Sequence, residues 1–287
     1  MASINDLVTA ASAGTGAITM HQSSSDQAGV TRGALAVLEG LDRSGKTTQV
    51  KLLEQRFVEL GRKVKVMRFP DRTTPIGQMI DGYLKSQVEM DDHVIHLLFS
   101  ANRWEAVKTI TSLLSSGVTV LCDRYYYSGI VYSAAKQNPS LSLSWARAPE
   151  VGLPRPDLVL FLDLDEAQAR ARGGWGGEVY ERGEMQRRVR ELFWGLSMGK
   201  IGTSVVPSEA APGGQEEQGA VAVGPPSPDK AALTGAEHRF RQEEEDLHVI
   251  DASPSVEEVA EEIWKVVRAR VEAVERGEVG KVIRRVC

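Results

Sequence analysis

A glycine-rich loop near the start of the chain has the residue types and spacing to hold a phosphate group. Gly40–Thr47 reads GLDRSGKT and fits the pattern G-x-x-x-x-G-K-[ST]. In such a loop the backbone N–H groups surround a phosphate, and the positive end of the next helix adds to the attraction. Lys46 is expected to reach the β- and γ-phosphates of a nucleotide, and Thr47 to hold Mg²⁺. The alternative, a glycine-rich turn with an exposed lysine, is disfavoured because an apolar strand precedes the loop and a helical pattern follows it.

Three further clusters carry an arginine that could hold a second phosphate group. A guanidinium binds phosphate through two parallel N–H donors, whereas lysine acts as a point charge. The clusters are Phe69–Arg72, Phe99–Trp104 and Asp123–Tyr125, and their aromatic residues could stack on a base. A single arginine is usually a solvated surface residue. The functional interpretation therefore depends on all three clusters standing close to one phosphate loop.

Asp123 ends an apolar run and has two possible roles. A carboxylate at the end of a buried strand is costly unless it is paired or lies near a metal. Asp123 is therefore either a ligand of Mg²⁺, acting through a water molecule, or a cap at the end of the strand.

The segments that must position these residues alternate between strand and helix patterns. The five candidate strands are mostly apolar, as expected for strands covered on both faces. They are Ala34–Glu39, Val64–Phe69, Val118–Cys122, Leu158–Asp163 and Leu247–Asp251. Helical periodicity predicts helices over Gly45–Leu60, over Asp92–Ser116 and from Ser255 to Gly277, where Ser255 and Glu258 form a capping box. This alternation predicts an α/β fold with a five-stranded parallel sheet flanked by helices, which binds ligands at the carboxyl ends of its strands.

Composition excludes several other classes of protein. The chain has 287 residues, of which 42% are hydrophobic and 25% are charged, as in a globular protein with a sizeable core. A net charge of −5 argues against binding to nucleic acid or to an anionic membrane surface. No apolar run approaches the roughly 18 residues that span a bilayer. The two cysteines, Cys122 and Cys287, are too few for a disulfide framework and fit a reducing compartment.

Two segments differ in composition from the rest of the chain. Residues 1–32 are rich in Ala, Ser, Gly and Thr and are predicted to form a disordered tail. A mitochondrial transit peptide is the alternative, but such peptides are poor in acidic residues and this segment contains Asp6 and Asp26. Residues 199–236 are rich in Gly, Pro and Ser and lack aromatic residues. This composition predicts a flexible insertion within one domain of residues 33–287.

Taken together, these clusters resemble those of the thymidylate (dTMP) kinases, most closely the eukaryotic ones. The resemblance lies in the phosphate loop, with its Asp-Arg pair, and in four further motifs. These are Arg68–Arg72, His96–Glu105, Asp123–Tyr125 followed by Ser128-Gly129, and Val151–Asp157. The phosphate loop alone fits many nucleotide-binding proteins, whereas the combination is specific to this family.

The resemblance implies a P-loop NTPase fold and an enzyme that transfers the γ-phosphoryl group of MgATP to dTMP, giving dTDP and ADP. It also implies a mobile lid over about Arg170–Gln186, which carries four glycines within five residues. Such a lid could close to exclude water, although a disordered glycine turn is the alternative. A homodimer and a cytoplasmic, or else nuclear, location are expected for such an enzyme.

The resemblance also implies a role for individual residues. The catalytic residues would be Asp42, Arg43 and Lys46. ATP would be bound by Gly40, Arg43, Ser44, Gly45, Lys46, Thr47, Thr48, Arg172 and Ala252. The acceptor dTMP would be bound by Asp42, Phe69, Arg72, Phe99, Arg103, Arg124, Ser128, Gly129, Tyr132 and Tyr180. Mg²⁺ would be held by Thr47 and Asp123.

Within the acceptor set, the family's roles divide between base and phosphate. Phe99 would stack on thymine, and Arg103 would form a hydrogen bond to the base. Ser128 would lie along the base edge. Arg72 and Arg124 would hold the phosphate group.

The remaining implied roles concern the deoxyribose and the transferring phosphoryl group. Asp42 would contact the 3′-hydroxyl of the deoxyribose, and Tyr132 would crowd the 2′ position and reject ribonucleotides. Arg43 would stabilise charge on the transferring phosphoryl group. The chain departs from its relatives at Val179, where many lids carry a basic residue. Without a basic residue at this position, stabilisation of the phosphoryl charge would depend on Arg43.

Two other functions are weighed against this one. A nucleotide-dependent switch has no need of a base-stacking Phe99 or of a second set of arginines, and the chain lacks an N-K-x-D string for reading guanine. A kinase acting on thymidine would give Arg72 no phosphate to hold. Stimulation of ATP consumption by a nucleoside monophosphate separates the first function from the switch.

Overall fold

Five parallel strands form the centre of the protein, in the order β2-β3-β1-β4-β5. The structure is a computed structural model and describes residues 31–173, 177–181, 183–198 and 247–287. The strands are β1 (Leu35–Gly40), β2 (Val64–Arg68), β3 (Thr119–Asp123), β4 (Leu158–Asp163) and β5 (Leu247–Asp251). Each predicted strand is confirmed to within one residue. The predicted tail, as far as residue 30, and the predicted insertion over residues 199–236 lie outside the described residues.

Alternating side chains of the strands pack into two separate cores. Leu35 and Val37 of β1 face one core, whereas Ala36 and Leu38 face the other, as the two-residue period of a strand requires. The strands β1, β3 and β4 are buried nearly throughout, which fits apolar strands covered on both faces. The strand β2 lies at an edge of the sheet and is only partly buried.

Helices cover both faces of this sheet. One face is covered by α1 (Lys46–Glu59) and α9 (Val256–Glu275), whose apolar stripes include Phe57 and Val267. Residues of the other core come from α2 (Pro75–Leu84), α3 (Asp92–Glu105), α4 (Val107–Ser115), α5 (Tyr126–Ala134), α6 (Leu143–Arg147) and α8 (Gly183–Ser197). A 3-10 turn (Ala148–Glu150) follows α6, and the short α7 (Glu166–Ala171) follows β4. Among the helices so described, none has the length and apolar character needed to cross a membrane.

Two of the three predicted helices are confirmed. The helix α1 begins directly after Gly45, as the phosphate-loop pattern requires. The helix α9 begins after Ser255, and the capping box is present because the Ser255 and Glu258 side chains each accept from the other's backbone N–H. The chain leaves α9 at Gly277, which adopts a φ of 76°, a conformation that favours glycine.

The single helix predicted over Asp92–Ser116 is wrong, because the chain forms α3 and α4 with Ala106 between them. At the end of α3, Trp104 donates its indole N–H to Pro149 O at 2.8 Å. In α4, Ile110 is fully buried against the sheet. The break at Ala106 lets α3 contact Pro149 while α4 packs against the sheet. Neither Gly nor Pro marks this break in the sequence.

Residues 280–287 form a C-terminal strap that packs against the loop before β4. Gly152 N donates to Val286 O at 2.8 Å, and the Val286 side chain is buried. Beside the strap, Arg32 donates two hydrogen bonds of 2.7 Å to the two carboxylate oxygens of Asp157. The Gly152–Val286 bond fixes the residues directly after the 3-10 turn, whereas the Arg32–Asp157 pair fixes the chain directly before β4.

Both cysteines are free thiols, in keeping with the expectation that the chain has no disulfide framework. Cys122 is buried in β3, and Cys287 is exposed. Burial raises the pKa of the Cys122 thiol well above its ordinary value, so this thiol stays protonated and unreactive at neutral pH.

Candidate active site

A cavity of about 750 Å³ lies at the carboxyl ends of the strands, where α/β sheets bind their ligands. Its wall is formed by the phosphate loop, by the residues that follow β2 and β3, by α3 and α5, and by the segment between α7 and α8. The predicted site residues on this wall are Asp42, Arg43, Ser44, Gly45, Lys46, Thr47, Thr48, Phe69, Arg72, Phe99, Arg103, Asp123, Arg124, Ser128, Gly129, Tyr132, Arg172, Tyr180 and Ala252. Gly40, the remaining predicted residue, ends β1 directly before the loop.

The phosphate loop joins β1 to α1 and depends on two glycines. At Gly40, with a φ of 149°, a Cβ atom would lie 2.6 Å from Leu162 O. Gly45 adopts a φ of 95°. Arg43 is also left-handed, with a φ of 67°, a conformation that costs a residue with a side chain about 1–2 kcal/mol. The loop therefore stores backbone strain at the residue predicted to act in catalysis.

Lys46 is buried at the base of the loop, and the loop's own backbone holds its ammonium group. Nζ donates to Gly40 O at 3.2 Å and to Leu41 O at 2.5 Å. Burial, together with the positive charge of Arg124, lowers the pKa of Lys46 to about 7. An anion placed at this loop would favour the charged ammonium and raise that pKa again.

Thr47 and Asp123 meet where α1 begins and β3 ends. Thr47 Oγ1 donates to Asp123 Oδ2 at 2.5 Å, so a hydroxyl and a carboxylate oxygen stand side by side. Oxygen ligands are the type that Mg²⁺ prefers, and it usually keeps several waters and adds phosphate oxygens. Within the described ranges no group of three His, Cys, Asp or Glu side chains is placed to hold a metal. The pair offers two oxygen ligands of the kind that fit a Mg²⁺ ion bound together with a nucleotide.

Arg124 is the centre of a hydrogen-bond network just after β3. Its Nη2 donates to Asp42 Oδ1 at 2.5 Å, and its Nη1 donates to Gly40 O and to Ser128 Oγ, each at 3.0 Å. Tyr132 donates to Asp42 Oδ2 at 3.2 Å. Burial raises the pKa of Asp42, but the Arg124 charge opposes it and the net pKa lies below its usual value. Asp42 is therefore ionised at neutral pH and pairs with the guanidinium of Arg124, a residue whose backbone is left-handed, with a φ of 67°.

Sequence reasoning missed Glu39, the carboxylate behind this network. It is fully buried in β1 and accepts from Tyr125 N at 2.9 Å, from Ser128 N at 3.1 Å and from the Ser128 hydroxyl. Burial raises the pKa of Glu39, against the opposing effects of Ser128 and Arg124. Glu39 thereby holds the first turn of α5 against β1. A carboxylate in an otherwise apolar strand was the signal that could have found it.

Phe99 and Arg103 of α3 also line the cavity. Phe99 is partly buried, whereas Arg103 is almost fully buried. Arg103 Nε donates to Glu150 Oε2 at 2.9 Å, and Nη2 donates to Oε1 at 2.5 Å. Glu150 was not predicted, because it stands 47 residues from Arg103 and its residue type carries no signal of this contact.

Two carboxylates from the segment between α7 and α8 bind arginines of the cavity. Glu178 Oε1 accepts from Arg72 Nη2 at 2.8 Å, and Glu181 Oε1 accepts from Arg43 Nη2 at 3.3 Å. Arg72 also donates to Asp81 Oδ1 at 2.6 Å. Because these arginines are predicted to hold phosphate groups, Glu178 and Glu181 would compete with phosphate for the same donors.

Arg172 and Tyr180 approach the cavity from the same segment. Arg172 Nη2 donates to Ala252 O at 2.7 Å, and its Nη1 donates to Arg43 O at 3.2 Å. Arg172 therefore joins the loop after β5 to the phosphate loop. The Tyr180 ring lies 5.4 Å from the Tyr132 ring, next to the predicted acceptor site.

The predicted lid over Arg170–Gln186 extends too far, because α8 already begins at Gly183. Gln186 is buried in the first turns of α8, and its Nε2 donates to Asp42 Oδ2 at 2.7 Å while its Oε1 accepts from Asp42 N at 3.1 Å. Sequence reasoning used Gln186 only as a lid boundary and missed this contact. Residues 174–176 and residue 182 of the predicted lid lie outside the described residues.

The lowered pKa of Lys46 predicts that nucleotide binding takes up a proton. At pH 8 a lysine with a pKa of about 7 is mostly neutral, and a bound triphosphate should restore its charge. Calorimetric titration at pH 8, in buffers of different ionisation enthalpy, should detect close to one proton taken up per ATP bound. Lys46→Arg is the matched control, because arginine stays protonated in both states. Uptake near zero in the unaltered protein would contradict the assigned pKa.

The comparisons with known proteins agree with this site. A family model described as "Thymidylate kinase" matches residues 38–208. The thymidylate kinase of Danio rerio is 51% identical over 162 residues, which are 56% of this chain and 76% of that protein. The thymidylate kinase of Homo sapiens is 49% identical over 162 residues, with the same shares of the two chains.

A solved structure extends the similarity to the fold. The thymidylate kinase of Candida albicans superposes with a TM-score of 0.61 and 31% sequence identity, covering 85% of this chain and 94% of that one. The predicted P-loop NTPase fold and the resemblance read from the motifs are thereby confirmed. The chain belongs to the thymidylate kinase family.

Proposed function

We propose that this protein transfers the γ-phosphoryl group of ATP to the 5′-phosphate of dTMP, giving dTDP and ADP. The observation that carries the proposal is a single cavity lined both by the phosphate loop and by Phe99 and Arg103. Arg72 and Arg124 line the same cavity. A phosphoryl transfer needs two anionic nucleotides held end to end, and guanidinium groups offset the repulsion between them.

The donor nucleotide is bound by the phosphate loop and by the loop after β5. The backbone N–H groups of the loop and the Lys46 ammonium bind the β- and γ-phosphates. Arg172 and Ala252, joined by a hydrogen bond of 2.7 Å, lie beside the adenine. These contacts set the orientation of ATP, because the phosphate loop holds its phosphates and Arg172 holds its base.

The acceptor nucleotide is bound by residues on α3, on α5 and after β2 and β3. Phe99 stacks on thymine and Arg103 donates a hydrogen bond to it, while Arg72 and Arg124 hold the phosphate. Asp42, kept ionised by Arg124, accepts from the 3′-hydroxyl of the deoxyribose. These contacts direct an oxygen of the acceptor phosphate at the γ-phosphorus, and the bond from that phosphorus to the β–γ bridging oxygen breaks as ADP leaves.

Arg43 supplies the positive charge for the transferring group. Phosphoryl transfer passes through a loose transition state with charge on the equatorial oxygens, so catalysis is mainly positioning and electrostatic stabilisation. The segment around Val179 offers no cation at that position, and its neighbours Glu178 and Glu181 must release Arg72 and Arg43 when phosphates bind. When Mg²⁺ is bound, Thr47 and Asp123 hold it, and its charge stabilises the phosphate oxygens.

A panel of nucleoside monophosphates tests the reaction directly. ADP release, followed by a coupled assay, should be stimulated most by dTMP and should require Mg²⁺. Thymidine should not stimulate it, because the arginines would have no phosphate to hold. Equal ADP release with and without any monophosphate would reject a kinase and favour an NTP-binding switch.

Substitution of Arg43 tests the role of the loop cation. Arg43→Ala should lower kcat by about 10³–10⁵-fold, the range for an arginine that stabilises a transferring phosphoryl group. The Kd for ATP should change little, because the loop backbone and Lys46 remain. Arg268→Ala, on the exposed surface of α9, is the matched control and should leave kcat unchanged. An unaltered kcat in Arg43→Ala would exclude the assigned role.

A homodimer is the second part of the proposal, and an exposed apolar stripe on α3 supports it. Val94, Leu97 and Trp104 are large hydrophobic residues that remain exposed on this helix. A second copy of the chain would cover them. Light scattering after size exclusion should give the mass of a dimer, and Leu97→Glu should give a monomer. Val58→Glu, at an exposed position of α1, should stay dimeric, whereas a monomeric unaltered protein would contradict the proposal.

A further inference from the structure

We infer that Glu150 is a positioning residue that sets the guanidinium of Arg103 for base recognition. The inference deepens the proposed function, in which Arg103 contacts the base of the acceptor. Arg103 lines the cavity, but Glu150 is not among the described residues that line it. Glu150 therefore acts through Arg103 rather than by contact with the substrate.

The pair has the geometry that fixes a guanidinium in one plane. Both Glu150 oxygens are engaged, one by Nε of Arg103 at 2.9 Å and the other by Nη2 at 2.5 Å. The exposed fraction of the side chains is 2% for Arg103 and 0% for Glu150. A bidentate pair held away from water adds geometric specificity as well as energy. Glu150 engages the N–H of Nε and one N–H of Nη2, so both N–H groups of Nη1 and the second N–H of Nη2 remain as donors for a base.

The backbone of α5 lies against the same guanidinium. A Cβ atom at Gly129 would lie 2.6 Å from Nη2 and 3.0 Å from Nη1 of Arg103. The guanidinium is thus in contact with both the Glu150 carboxylate and a helix that allows no side chain at this point. Without the carboxylate, Arg103 would keep its place on α3 but lose the contact that fixes its rotation.

The 3-10 turn that carries Glu150 is itself fixed from outside the cavity. Pro149 O accepts from Ser100 Oγ at 3.2 Å and from Trp104 Nε1 at 2.8 Å. On the other side of the turn, Gly152 N donates to Val286 O of the C-terminal strap. These bonds join the turn to α3 and to the strap, and they thereby fix the position of the Glu150 carboxylate.

The neighbouring His96 leaves the charge balance of the pair intact. Burial and the charge of Arg103 lower the pKa of His96 to about 4, so its imidazole is neutral at pH 7. It therefore adds no positive charge that would compete with Arg103 for the Glu150 carboxylate.

The test compares Glu150→Gln and Glu150→Asp with the unaltered enzyme in steady-state assays of dTMP phosphorylation. Glu150→Gln should raise the KM for dTMP by about 10–100-fold, the loss expected for a charged hydrogen-bonded contact. The KM for ATP and kcat should stay within about threefold. Discrimination of dTMP against dCMP should also fall, because a guanidinium only donates and so distinguishes the thymine carbonyl from the cytosine amino group.

Glu150→Asp keeps the negative charge, but its side chain is one methylene group shorter and places the carboxylate farther from Arg103. It should raise the KM for dTMP less than Glu150→Gln does. If Glu150→Gln does not fold, Glu150→Asp serves as the test instead. Its KM for dTMP should rise while its KM for ATP stays the same. An unchanged KM for dTMP, or equal rises for dTMP and ATP, would overturn the inference.

Asp157→Asn is the matched control for a loss of structure alone. The Asp157–Arg32 pair is also bidentate and buried, with side-chain exposures of 3% and 4%, and lies away from the cavity wall. Asp157→Asn should lower the Tm and leave the KM for dTMP unchanged; a rise equal to that of Glu150→Gln would overturn the inference. Failure of the unaltered enzyme to phosphorylate dTMP would instead reject the proposed function, so the two failures are distinct.

Discussion

The pairing of guanidinium groups with carboxylates is the interaction on which the cavity depends. Several arginines close to one another repel, and each holds a fixed orientation only where an anion faces it. Arg103, which lines the wall, forms a buried pair with Glu150 behind it, and Arg124 with Asp42 is a partly buried pair in the wall. Arg72 with Glu178 and Arg43 with Glu181 use carboxylates from the segment between α7 and α8.

These two kinds of pair suit two different tasks. A pair whose members are both fixed in the core keeps its geometry when a nucleotide arrives, and removal of one partner leaves a buried charge at high cost. An arginine paired with a carboxylate of the segment between α7 and α8 can exchange that carboxylate for a phosphate group without being left bare. In the proposed reaction the fixed pair of Arg103 and Glu150 would serve base recognition, while Arg72 and Arg43 would exchange their carboxylates for phosphate groups. The parallel sheet makes this possible because the ends of β1, β2 and β3 bring these residues to one edge.

The strands and the phosphate loop could be predicted from the sequence, for physical reasons. The strands were found because a strand buried on both faces is a continuous apolar run, and the phosphate loop because its glycines must stand at fixed spacing. The break at Ala106 was not accessible, since it follows from the contacts of Trp104 and not from a local Gly or Pro. Glu39 and Glu150 were missed for a related reason: each is defined by partners distant in the chain, 86 and 47 residues away.

The left-handed backbone of Arg43 and Arg124 has a consequence for how the protein can be stabilised. Both have a φ of 67°, a region that glycine enters freely and that costs other residues about 1–2 kcal/mol each. A search guided by thermal stability alone would therefore favour glycine at Arg43, whereas at Arg124 the lost hydrogen bonds to Asp42, Gly40 and Ser128 would oppose that gain. Glycine at Arg43 would relax the backbone and remove the charge that is proposed to stabilise the transferring group, so under that proposal heat resistance and turnover are opposed at this residue.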